Sequence, residues 1–186
     1  MSTFHVLNEE LDIMQSGNSL FSRCTSFISR FLGSNVLLEL HFEPYMLLKA
    51  KSLCEDIAEQ AEDEFKLSDL INLLYMDFIG RVKRSADLAS LNEIYRRILV
   101  RRENAVRLSV HNGEKFELDS GDEAVYKILM KRDYVLRGEI FIYDVCGPDA
   151  DMTIEVILET LLTDFVQAFM RGNGQQLISR LIEALD

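Results

Sequence analysis

Apolar residues along this chain recur at two different periods, and the switches between them divide it into elements. Leu7, Leu11 and Met14 fall at helical spacing up to a break at Gly17-Asn18-Ser19. Leu20, Phe21, Cys24, Phe27, Ile28, Phe31 and Leu32 then recur every three or four residues, opposite serines, Arg23 and Arg30. That pattern predicts an amphipathic helix stopped by Gly33. Val36, Leu38, Leu40 and Phe42 alternate with Leu37, Glu39 and His41, the period of a strand. Pro44 opens a helix, because its missing N–H has no partner in a first turn anyway. That helix gathers Leu47, Ala50, Leu53, Cys54, Ile57, Ala58 and Ala61 on one side. Glu55, Asp56, Glu59, Glu62, Asp63 and Glu64 occupy the other. Two further helices follow, one carrying Leu67, Leu70, Ile71, Leu74, Phe78 and Val82, the next carrying Leu88, Leu91, Tyr95, Ile98 and Leu99.

Beyond residue 103 the pattern changes. Val106, Leu108 and Val110 alternate with Arg107, Ser109 and His111, and Asn112-Gly113 supplies the residues of a type I′ turn before Phe116 and Leu118. These predict a hairpin. Ser120 with Glu123 has the spacing of a capping box and predicts a short helix through Ala124, Val125, Ile128 and Leu129. Tyr134 to Leu136 reads as a short strand, and Glu139 to Val145 as a central strand, its Ile140-Phe141-Ile142-Tyr143 run apolar on both faces. A long apolar helix through Ile154, Leu158, Leu161, Phe165 and Phe169 follows, stopped by Gly172-Asn173-Gly174, and a terminal helix covers 175–185. The expected class is α+β: one helix-rich domain over 1–186, with a small, mainly antiparallel sheet of about four strands flanked by helices. A subdivision into a mostly helical part, 1–103, and a hairpin-helix-strand-helix part, 104–186, follows from the same pattern.

Composition supports a packed globule, with 48% hydrophobic residues, 27% charged and only two prolines. No basic n-region precedes an apolar run at Met1–His5, so no signal peptide is expected, and no apolar stretch is long enough to span a membrane. Three scattered cysteines without a CxxC pair point to a reducing, cytoplasmic setting.

Candidate chemistry is sparse. Cys24 and Cys54 lie on apolar helix faces, where cysteine packs as a small hydrophobe. Cys146 sits where the expected strand leads toward a helix N-terminus, a setting that lowers thiol pKa, yet His5, His41 and His111 are all distant in sequence. Asp144, Asp149, Asp151 and Glu155 gather before the long helix, where Asp149 or Asp151 is expected as its N-cap. Glu59-Gln60-Ala61-Glu62 is one acidic helical motif, but the second that a helical Mg²⁺ site requires is missing, since the next helix offers only Asp69 and Asp77. Gly172-Asn173-Gly174 lacks the strand and lysine of a phosphate loop. No catalytic, metal or cofactor residues are therefore assigned, and no enzymatic activity is expected.

Charge is the remaining handle. The chain carries −11, which over most of its surface repels nucleic acid and anionic lipid and suits a protein partner of basic or mixed charge. Glu55, Glu59 and Glu62 are the expected contacts, in an interaction module such as an adaptor, a chaperone or an immunity-type inhibitor. Against that background, residues 81–107 hold eight basic and three acidic side chains. Two helices followed by an Asn-Gly hairpin is also the order of a winged helix, in which Arg96, Arg97, Arg101 and Arg102 would contact the phosphates of a nucleic acid. That is the alternative. The apolar surface of 152–171 and 175–185 also suits a homodimer.

Overall fold

The computed structural model describes residues 4–15, 35–85, 87–109 and 123–173, without the side chains of 103–109, 172 and 173. Within them the chain runs through helix α1 (His5–Gln15), strand β1 (Asn35–Phe42), and helices α2 (Pro44–Ala61), α3 (Leu67–Arg84) and α4 (Leu88–Ser109). Strand β2 (Ala124–Lys131), helix α5 (Arg132–Cys146), helix α6 (Ile154–Ala168) and a π-helical turn (Phe169–Asn173) complete the order.

β1 and β2 pair antiparallel, with Asn35 opposite Lys131 and Phe42 opposite Ala124. The period of two assigns the faces. Leu38, Leu40 and Phe42 are buried with Ile128 and Met130, while Leu37, Val125 and Leu129 lie exposed on the other side. There Lys127 bridges to Glu39, its cross-strand partner, at 2.6 Å. The N–H of His41 points away from β2 and donates to the Glu159 carboxylate of α6 at 2.8 Å, so a side chain satisfies a strand-edge donor.

The α+β class holds, but the described residues contain two strands, not about four. Three segments account for the difference. Residues 106–109 continue α4, because the run of Arg, Ala and Leu from 101 onward favours helix and a six-residue alternation is too short to oppose it. Residues 124–131 form β2 instead of a helix. Tyr126, Ile128 and Met130 point inward and Val125, Lys127, Leu129 and Lys131 outward, an alternation that pairing with β1 turns into a strand. Residues 134–136 and 139–145 belong to α5 instead of two strands. Val135, Gly138, Glu139 and Ile142 share its buried face, and Ile140 and Tyr143 are about 40% exposed, so the apolar run is helical after all. The helix predicted over 20–32, the Asn112-Gly113 turn with its return strand and the terminal helix over 175–185 lie outside the described residues.

The other helices follow their predicted periodicity. α6 is the most apolar, burying Ile154, Ile157, Leu158, Leu161, Leu162, Phe165 and Val166 against β1, α3 and α4. Each such side chain contributes about 1.5–3 kcal/mol when fully buried. Thr153, not Asp149 or Asp151, caps it by accepting from Val156 N–H at 3.3 Å. At the centre Tyr75, Phe78 and Phe141 form an aromatic file with centroids 5.8 and 5.4 Å apart. The Tyr75 hydroxyl donates to the Tyr134 carbonyl at 3.0 Å. Gly138 makes this crossing feasible, because a Cβ there would overlap Tyr75 Oη and Ile154 Cδ1.

Candidate interaction face

The outward side of α2 is the surface that the predicted residues build. Glu55, Asp56, Glu59, Glu62 and Asp63 are all exposed, because Leu47, Ala50, Leu53, Cys54 and Ile57 take the opposite side into the core. Among the described residues, Glu55, Asp56, Glu59 and Glu62 join no ion pair; the neighbouring Glu64 pairs with Lys66 at 3.0 Å. Toward the N-terminus of α2 the same outward stripe carries Leu48, 64% exposed, and Tyr45, 57% exposed. Lys49 Nζ lies 4.7 Å from the centroid of the Tyr45 ring and 3.4 Å from Met170 Sδ. The stripe is thus apolar at one end and acidic at the other.

Two features of the acidic end are unfavourable for the helix itself. Its carboxylates crowd the C-terminal turns, where a helix dipole prefers cations, and the last turn holds no basic residue. Glu62 also closes α2 in the left-handed conformation, φ 53°, its N–H returning to Ala58 O. Glycine usually fills that position, and a side chain there costs about 1–2 kcal/mol.

Among the described residues, the ion pairs of the basic span do not reach this face. Arg81 pairs with Asp77 at 2.7 Å, Arg97 with Glu93 at 3.1 Å and Arg101 with Asp164 at 3.4 Å, none of them on α2. Arg96 and Arg102 are exposed on α4. Residues 106–109, expected at the start of the first wing strand, are the end of α4, and the rest of the expected wing lies outside the described residues.

The remaining candidates are dispersed. Cys54 is buried, and desolvation, with Asp69 and Glu55 nearby, pushes its thiol up to about 12. Cys146 closes α5 at its carbonyl end, so it is not at a helix N-terminus as expected. Its neighbour is Tyr95, whose phenol the hydrogen bond with Cys146, together with burial, pushes up to about 12. A phenol so held keeps its proton near neutrality and offers no base. His5 pairs with Glu9 and His41 with Glu123, both at 3.3 Å, while Cys24 and His111 lie outside the described residues. Gly172 and Asn173 belong to the π-helical turn. Among the described residues no three His, Cys, Asp or Glu side chains converge to hold a metal, and no helix is long and apolar enough to cross a membrane.

One polar residue escapes the sequence pattern. Glu139 is 4% exposed inside α5, and its carboxylate accepts from the backbone N–H groups of Val6 at 3.3 Å and Leu7 at 2.6 Å. Desolvation raises its pKa, and the two N–H groups oppose that rise. A signal was present in the sequence: once 132–146 is read as a helix, Glu139 falls on the face of Val135 and Ile142. Comparisons with protein-family models, curated proteins and solved structures find no match for this chain.

Proposed function

We propose that this domain is a protein-protein interaction module whose docking surface is the outward stripe of α2. The observation that carries the reading is that Glu55, Glu59 and Glu62 are exposed and unpaired among the described residues, at the helix end where carboxylates are least favourable. Residues that weaken their own element without compensation inside the fold are the ones expected to serve a partner. Tyr45 and Leu48 extend the stripe with apolar area, so the partner is a basic segment with an apolar end.

The test uses labelled basic amphipathic peptides, titrated against the full chain at rising salt. Binding is expected to weaken with salt and to fall at least tenfold when Glu55, Glu59 and Glu62 are all reversed to lysine. A Glu59→Gln, Glu62→Gly variant separates binding from folding. It should melt higher than wild type, since it relieves the dipole conflict and the left-handed glutamate, yet bind less tightly. Undiminished binding after the triple reversal would count against the stripe.

A further inference from the structure

We propose that α1 is a releasable strap, a helix that persists only while seated on α5 and that opens separately from the rest of the fold. Eleven residues is short for a helix in water, because the nucleation cost is spread over few hydrogen bonds. The position before it, where a side-chain acceptor normally caps the first turn, is Phe4, which has none. The cap comes instead from α5. Val6 and Leu7 are the second and third residues of α1, the two whose N–H groups an N-cap side chain would receive, and both donate to Glu139.

A second latch lies two turns away on the same face of α5. Arg132 Nη1 donates to Glu9 at 2.7 Å, and its Nη2 and Nε donate to Glu10 at 3.2 and 3.3 Å. Its side chain is only 16% exposed, so these contacts are partly shielded from water. The order of contacts defines an antiparallel pair. Phe4 meets the Tyr143 ring edge-on at 5.7 Å, Val6 and Leu7 meet Glu139, and Glu9 and Glu10 meet Arg132. Among the described elements, α5 is the main one against which α1 packs. The donors that α1 needs in order to be a helix and the contacts that seat it are therefore the same groups. Unseating removes the cap, and losing the cap unfolds the helix, which makes opening a single step. Opening uncovers Tyr143 and the Glu139 carboxylate on α5, together with the core positions that Phe4 and Val6 fill.

Amide hydrogen exchange on the full chain, resolved by peptide, tests this. Glu139→Ala removes the cap and Arg132→Ala removes the outer latch. Each is expected to speed exchange across 8–15 by roughly ten- to a hundredfold, the range set by losing hydrogen bonds to a charged group. Amides of α3 and α6 should keep their wild-type rates. Unchanged exchange in α1 for both variants would overturn the proposal. So would acceleration of α1, α3 and α6 together in Arg132→Ala, which would show that α1 melts only with the whole domain. Because Arg132 lies at the surface end of the contact, its variant decides the matter should Glu139→Ala fail to fold.

Discussion

Replacing Gly138 with alanine probes the crossing of α3, α5 and α6 with a single methyl group. A Cβ at this position overlaps the Tyr75 hydroxyl and Ile154 Cδ1, and Tyr75 is only 1% exposed. Forcing an extra carbon into a packed core costs about 1–3 kcal/mol. Displacing the Tyr75 hydroxyl also breaks its 3.0 Å bond to Tyr134 O. Leaving that buried donor unsatisfied adds about 1–3 kcal/mol. Helix propensity returns about 1 kcal/mol for the change from glycine, so the net loss is about 3 kcal/mol. In a domain of this size that corresponds to about 6–12 °C in Tm. Urea unfolding followed by far-UV circular dichroism reads the difference directly. Gly80→Ala is the matched control in α3, since a Cβ there meets nothing within 4 Å, and it should stabilise by up to about 1 kcal/mol. Tyr75→Phe in the Gly138→Ala background removes the clashing oxygen and should recover part of the loss. If Gly138→Ala proved as stable as wild type, the argument from close approach would be wrong.

Two further outcomes follow from buried titrating groups. Burial pushes the Cys54 thiol up to about 12 from its ordinary 9.0, so at pH 8 its thiolate is about a thousandfold scarcer than in the unfolded chain. Iodoacetamide labelling read by peptide mass spectrometry should show Cys54 at least that much slower in native protein than in urea, and comparable rates would refute the burial. Glu159 is held above its ordinary 4.5, chiefly by desolvation. Below that value the carboxyl is protonated both folded and unfolded; as pH rises the unfolded chain ionises first, and stability is lost until the folded group ionises too. Wild type should therefore lose stability relative to Glu159→Gln as pH rises through and above the ordinary 4.5, by urea midpoint, and a difference that grows in its favour over that rise would contradict the assignment.

How far the chain was legible depends on whether a segment's partners are local. α2, α3 and α6 bury one face over 15 to 18 residues, so the periodicity of the segment alone identified them, and with them the outward position of Glu55, Glu59 and Glu62. β1 was legible because its alternation from Val36 to Phe42 is broken only at Leu37, with polar Glu39 and His41 at the other outward positions. Residues 124–146 were not. Val125 and Leu129 are apolar yet point outward, and Ile140 and Tyr143 are apolar yet half exposed, so the local pattern suits either period. What selects a strand for 124–131 is the hydrogen-bonding edge of β1, a segment far upstream, and what selects a helix for 132–146 is its packing against α3 and α4. Glu139 belongs to the same class. A glutamate inside an apolar run has no local reason to be buried, and only the arrival of the uncapped first turn of α1 supplies one. The acidic stripe was thus determined by the sequence alone, since a helix needs only its own period to choose an outward face. The strap and its cap were decided by tertiary structure, because a carboxylate's partner more than a hundred residues away leaves no trace in the period of either helix.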